Sequence, residues 1–331
     1  MLGGGFLLLN RLAAAPYGAL QFRNGAVLAV RCHAWGHLMS FDQQLDLLNV
    51  QDLIASQDRR GLEAAIRRRC HTIPIDSETI LCRILGRYKF FVDCRDRGLA
   101  PHLMMDGYWE YWVSDFIWRN VSKGMTVVDV GANLGYYTVL MGDLVGADGK
   151  VLAFEPNPRL LDLLRRNIDI NGFSRWTECE AKAIAGRSGD RLQFRASVRD
   201  PKNGSLMAGV STTDGDVIEI EVETLALNDL AVGSVDFMKI DVEGAEEVLW
   251  SGIGDLIRRS PDIKILLEFN ALRCRDPQRM LKEISAAFPL RQLDDDAVVR
   301  PAQPERLLAE REDTMLYLSR LDPVNFGQSP G

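Results

Sequence analysis

Val127-Val128-Asp129-Val130-Gly131-Ala132-Asn133-Leu134-Gly135-Tyr136-Tyr137-Thr138 leads an apolar run into an acid, then through Gly-x-x-x-Gly into a segment of helical character. Strand, glycine turn and helix in that order open a nucleotide-binding α/β unit. Glycine lets the main chain approach a ligand closely, and the helix start offers unbonded N–H groups to a carboxylate or phosphate. The next apolar run, Val151-Leu152-Ala153-Phe154-Glu155-Pro156-Asn157, also ends in an acid, and Glu155 lies 20 residues after Gly135. An acid at the end of a second strand can bond both ribose hydroxyls.

Which cofactor this serves is decided by what the turn contains. It has neither G-x-G-x-x-G nor a Gly-Lys-Ser/Thr, and no cation adjoins it. A dinucleotide wants denser glycines. A ligand with one carboxylate and no phosphate, S-adenosylmethionine, fits better. Two more apolar runs end in acids: Val235-Asp236-Phe237-Met238-Lys239-Ile240-Asp241-Val242-Glu243-Gly244-Ala245-Glu246, and Ile265-Leu266-Leu267-Glu268-Phe269-Asn270. Strand alternation puts Lys239 and Asp241 on one face. A charge in so apolar a run needs a partner. If the two strands are neighbours, Asp241 and Glu268 meet over the crevice, where one pKa rises or a divalent cation is recruited.

Outward from these segments, runs 126–130, 151–154, 179–184, 235–240 and 263–269 read as buried strands, and 137–145, 158–171, 245–257 and 277–288 as helices. Their alternation implies a mostly parallel sheet covered on both faces. Upstream, 42–69 is loosely helical and ends in Arg67-Arg68-Arg69, read as a solvated helix end, before strand candidates 79–85 and 88–94 and an aromatic stretch from Tyr108 to Trp118. The Gly/Thr/Asp-rich loop 204–215 reads as a lid or an insertion, 315–318 as a late strand, and 322–331 as a flexible tail.

The 331 residues are 47% hydrophobic and 26% charged, the profile of a folded domain with a substantial core. A net charge of −7 speaks against a nucleic-acid partner. Six scattered cysteines without C-x-x-C read as reduced thiols of a cytoplasmic protein. The apolar run 3–9 is too short to span a bilayer.

At the four segments the chain resembles the FkbM-type family of class I S-adenosylmethionine-dependent methyltransferases. The matching text is Asp129-Val-Gly-Ala-Asn-Leu-Gly-Tyr-Tyr-Thr, Phe154-Glu-Pro-Asn, Lys239-Ile-Asp-Val-Glu-Gly-Ala-Glu246 and Leu267-Glu-Phe. Gly107-Tyr-Trp-Glu110 looks like the family's upstream Gly-x-x-Glu. A family Thr-Leu-Asp is broken here, since Thr224-Leu225 is followed by Ala226; the next acid, Asp229, is read as a helix N-cap. The resemblance covers about residues 93–318. It implies a Rossmann-like, mostly parallel sheet of seven strands in the order 3-2-1-4-5-7-6, the seventh antiparallel. Residues 91–321 would form that domain, with 1–90 a helical and strand extension serving as cap or interaction segment.

The resemblance further implies methyl transfer to a hydroxyl of a sugar, glycan or polyketide-like small molecule. Asp129, Gly131, Asn133, Gly135 and Thr138 would hold the methionine half of the cofactor, Glu155 the ribose, and Ala183 and Ile184 the adenine, with Asn157 also among the cofactor-binding residues. Glu110 or Asp241 would neutralise the cofactor's ammonium. Asp241 or Glu243 is the expected general base, with Lys239 and Glu268 assisting, and Asp241 and Glu268 are the expected ligands if a divalent cation takes part. Two other readings stay open: an NAD(P)-dependent oxidoreductase, and a cofactor-binding protein without catalysis. Self-association is also open.

Overall fold

The computed structural model describes residues 47–197 and 217–328. The run 3–9 and the loop 204–215 lie outside the described residues. The chain divides into Met1–Asp46 and Leu47–Gly331, and every described residue belongs to the second unit.

That unit starts with helices α1 (Val50–Ala55) and α2 (Arg59–Arg69), each capped by a side chain, Asn49 and Asp58. Three short antiparallel strands follow, β1 (Thr72–Pro74), β2 (Thr79–Ile84) and β3 (Tyr88–Asp93). After α3 (Ala100–Met105), the aromatic stretch forms α4 (Tyr111–Asn120), whose residues are buried except at Trp112.

The alternating part then unfolds as β4 (Thr126–Val130), α5 (Tyr136–Val145), β5 (Lys150–Phe154), α6 (Pro158–Ile170) and β6 (Thr177–Glu180). Next come β7 (Lys182–Ala185), β8 (Arg191–Ser197), β9 (Val217–Ala226) and β10 (Phe237–Ile240). The last elements are α7 (Glu246–Trp250), α8 (Gly254–Arg259), β11 (Lys264–Phe269), α9 (Pro277–Ala287), β12 (Arg291–Leu293), β13 (Val299–Pro301), α10 (Pro304–Ala309) and β14 (Thr314–Leu318).

Among the described residues the central sheet has eight strands, ordered β13-β12-β14-β11-β10-β4-β5-β6. From β6 to β11 neighbouring strands are parallel, and β14 runs antiparallel to β11. The count exceeds the expected seven because β13 folds back on β12 as an antiparallel edge pair. A second difference lies at 179–184. At Glu180-Ala181-Lys182, with a charge on either side of Ala181, one strand ends and another starts, so β6 stays in the central sheet while β7 joins a separate sheet, β7-β9-β8. The expected helix 245–257 is likewise two helices, interrupted at Ser251-Gly252, where Gly252 lies so close to the Ala185 and Gly186 main chain that a Cβ would sit 2.8 Å from an oxygen.

Period-two alternation sorts the core into two layers. Val127, Phe237, Leu266 and Tyr317 pack with the apolar faces of α4, α5 and α6. Val128, Met238, Leu267 and Leu316 face α7, α8 and α9. Asp129 and Lys239 are register partners on adjacent strands, so their side chains enter the same layer, below α4 and α5.

Residues 322–328 are not loose. Asn120 bonds Val324 through both side-chain atoms, Arg119 donates to the Gln328 carbonyl at 3.0 Å, and Phe326 N–H donates to the Ala297 carbonyl at 3.1 Å. The expected flexible tail is thus anchored as far as the described chain runs.

Candidate active site

A cavity of about 270 Å³ opens at the carboxyl ends of β4, β5, β10 and β11, where open α/β sheets bind ligands. The glycine turn forms its floor. Gly131 has φ +77°, and a Cβ there would lie 1.8 Å from the Asp241 carbonyl oxygen, so only glycine lets the β4 turn rest against the β10 loop. Gly135, at φ +94°, is the N-cap of α5 and packs on Leu164.

Glu155 is buried, and each of its oxygens accepts a main-chain N–H at 2.8 Å, from Asn133 and from Asn157. Burial pushes its pKa up to about 7 against the pull of those two N–H groups. Asn157 does not line the cavity; its side chain caps α6 by accepting from Arg159 N–H. Asp129 and Thr138 are also fully buried, the Thr138 hydroxyl donating to Asp129 Oδ2 at 2.6 Å. Asp129 Oδ1 has no hydrogen-bond partner among the described residues. Those two hold the turn from beneath rather than facing the cavity. Ala183 and Ile184 form one wall together with Phe154 and Phe194.

The opposite wall is charged. Lys239 is buried and donates to Asp241 at 2.9 Å, with its ammonium 4.7 Å from the Tyr137 ring centre. Burial works against its charge, but Asp241, Asp129 and Glu110 outweigh that and raise its pKa. Glu110 lines the cavity, and the Tyr137 hydroxyl donates to it at 2.7 Å. The ligand oxygens of Asp241, Glu243 and Glu268 lie within 4.8 Å of one another. Burial would raise Asp241, yet the Lys239 charge and hydrogen bond hold it below the usual carboxylate range. Glu268 moves the other way, raised by burial and by the Asp241 and Glu243 charges. Burial and the Asp241 charge lift Glu243 to about 7.

The expected site residues therefore gather in one place, except Asp129, Gly135, Thr138 and Asn157, which support it from outside. Glu246 turns back to accept from Val242 and Gly244 N–H, closing the loop after β10. Asp229 is not an N-cap: it accepts from the Ser188 hydroxyl, while the adjacent Asn228 caps α8 through Asp255 and Leu256 N–H. Arg273 and Asp313 line the cavity without standing out in the sequence, because they come from irregular segments with no motif around them. Of the five non-glycine residues with positive φ among the described residues, Glu110, Asn133 and Glu243 line this cavity. Such backbone costs about 1 kcal/mol or more each and gathers where function over-determines the chain.

Fold and cavity together define a Rossmann-like domain with a crevice at the strand ends. Residues 129–292 match the methyltransferase FkbM domain. Methyltransferase sdnD of Sordaria araneosa is 26% identical over 165 residues, 41% of this chain and 63% of that protein. Protein-L-isoaspartate O-methyltransferase of Methanococcoides burtonii is 39% identical over 57 residues, 17% of this chain and 28% of the relative. The chain thus spans less than two thirds of the length of these curated relatives. Among solved structures, a SAM-dependent O-methyltransferase of Thermotoga maritima superposes with a TM-score of 0.38 at 13% identity, over 74% of this chain and 93% of that one. No described helix is long and apolar enough to cross a membrane.

Proposed function

We propose that the protein is an S-adenosylmethionine-dependent O-methyltransferase acting on a hydroxyl of a sugar, glycan or polyketide-like small molecule. One observation carries this reading: a single cavity is lined on one side by the Gly131 turn and Glu155, and on the other by Asp241, Glu243 and Glu268. The donor set fits the cofactor. Glu155 is fixed by two N–H groups and keeps lone pairs for ribose hydroxyls, Ile184 and Phe154 offer an apolar wall to a flat base, and Glu110 and Asp241 are anions suited to an ammonium. No phosphate-binding cation adjoins the turn, which disfavours a dinucleotide.

When bound, S-adenosylmethionine supplies a methyl group activated by its sulfonium charge. The chain's own part is alignment and removal of one proton. The carboxylates of this wall would take the hydroxyl proton of the acceptor as its oxygen receives that methyl group. Glu243, lifted to about 7, matches the neutral-pH base best. Asp241, held ionised by Lys239, is the other candidate on that wall. Glu268 lies beside Asp241 on the same wall. Alignment of the attacking atom contributes several kcal/mol more.

The test is a calorimetric titration of the full chain with S-adenosylhomocysteine. One saturable site is expected, weakened about 10–100-fold in Glu155→Ala as charge-assisted hydrogen bonds are lost. No binding to the wild type sinks the reading and returns attention to nicotinamide cofactors or a non-catalytic role. With an acceptor in hand, Glu243→Gln is expected to lower kcat about 10²–10⁴-fold while leaving that affinity nearly unchanged.

A further inference from the structure

Arg273 stands where the acids of the reacting wall converge. It closes the short turn Ala271–Arg273 after β11, and that turn is capped by Asn270, whose side chain accepts from Leu272 N–H at 2.9 Å and donates to Asp313 at 2.9 Å. From there one guanidinium nitrogen reaches Glu243 at 2.7 Å and Glu268 at 3.2 Å, and the other reaches Asp313 at 3.1 Å. Three elements far apart in sequence, the loop after β10, the end of β11 and the approach to β14, are thereby held by one side chain. Among the described residues the ion-pair partner of Lys239 is Asp241, so the charge beside Glu243 and Glu268 is compensated by Arg273.

Three carboxylates with oxygens within 4.8 Å of one another are a donor set that oxygen-loving divalent cations also favour. Here the guanidinium already bridges two of them. We propose that Arg273 is a positioning residue that occupies the place of a divalent cation: it assembles Glu243 and Glu268 beside Asp241, and its presence keeps a metal ion from binding there. This rests on the methyl-transfer reading for its catalytic consequence, but not for its consequence in metal affinity. A planar fork with one nitrogen on Glu243 and Glu268 and the other on Asp313 fixes the spacing of these acids in a way that a point charge on a flexible stem does not.

The experiment is a calorimetric titration of Mn²⁺ into the full chain, comparing wild type, Arg273→Ala and Arg273→Lys. Wild type and Arg273→Lys are expected to show no saturable binding at millimolar Mn²⁺, and Arg273→Ala to bind one ion at least tenfold more tightly than either. In methyl-transfer assays, wild type dialysed against EDTA keeps its kcat. Arg273→Ala loses at least tenfold in kcat, with S-adenosylhomocysteine affinity within threefold of wild type. Arg273→Lys recovers part of that loss, and so does Mn²⁺ added to Arg273→Ala. Saturable micromolar Mn²⁺ binding by the wild type overturns the proposal, as does an Arg273→Ala protein with unchanged kcat. The wild-type titration decides the matter even if Arg273→Ala does not fold. Absent methyl transfer with intact S-adenosylhomocysteine binding counts against the acceptor reading, and the Mn²⁺ comparison still judges Arg273.

Discussion

Glu155 shows how much one side chain can be asked to do. Its oxygens are fixed by Asn133 and Asn157 N–H, and burial raises its pKa from 4.5 to about 7. A carboxyl raised on folding stabilises fully below its unfolded pKa, and that contribution is lost as pH rises through the folded value. Between pH 4.5 and 8 this group therefore removes about 3 kcal/mol of stability, since each pH unit separating the folded and unfolded values is worth about 1.4 kcal/mol. Denaturant unfolding of wild type and Glu155→Gln at several pH values checks this: the wild type should lose about that much more than the variant over the same range. Equal slopes would show that the Glu155 charge is not costly. At this scale the sequence is informative wherever an acid ends an apolar run, as at Glu155, Asp241 and Glu268. It is silent on Arg273 and Asp313, whose role arises only from convergence in space.

Elements are legible where the apolar period is long, and the reading fails where a short polar insert redirects the chain. Cys179 to Ile184 reads as one run, yet Glu180-Ala181-Lys182 sends its second half into another sheet. Helix α4 is apolar in pattern but buries an ion pair, Asp115 with Arg119 at 2.9 Å, both side chains almost fully covered. Arg119 also donates to the carbonyls of Ile54, Ser56 and Gln328, joining the end of α1 to α4. Removing one partner of a buried pair leaves an uncompensated charge, so Arg119→Ala should cost about 3–5 kcal/mol. Chemical denaturation measures it, and a loss below about 1 kcal/mol would mean that water replaces the guanidinium without penalty.

For the molecule as a whole, the carboxyl-terminal segment closes the fold over α4. Ending the chain after Leu321 removes the partners that Asn120 and Arg119 find at Val324 and Gln328. A fall in Tm of about 5–10 °C is expected by scanning calorimetry, from the hydrogen bonds lost with that segment at a size where 1 kcal/mol moves Tm by about 2–4 °C. An unchanged Tm would make the segment a mere surface strap. The contact of Gly131 with the Asp241 carbonyl has a wider consequence. There the two loops that, on the proposed reading, serve donor and acceptor meet main chain to main chain, a Cβ being excluded at 1.8 Å. The spacing of the two loops is therefore set by the backbone rather than by the side chains of the cavity walls. On that reading, selection, natural or in the laboratory, can exchange one acceptor for another without rebuilding the backbone geometry at the junction.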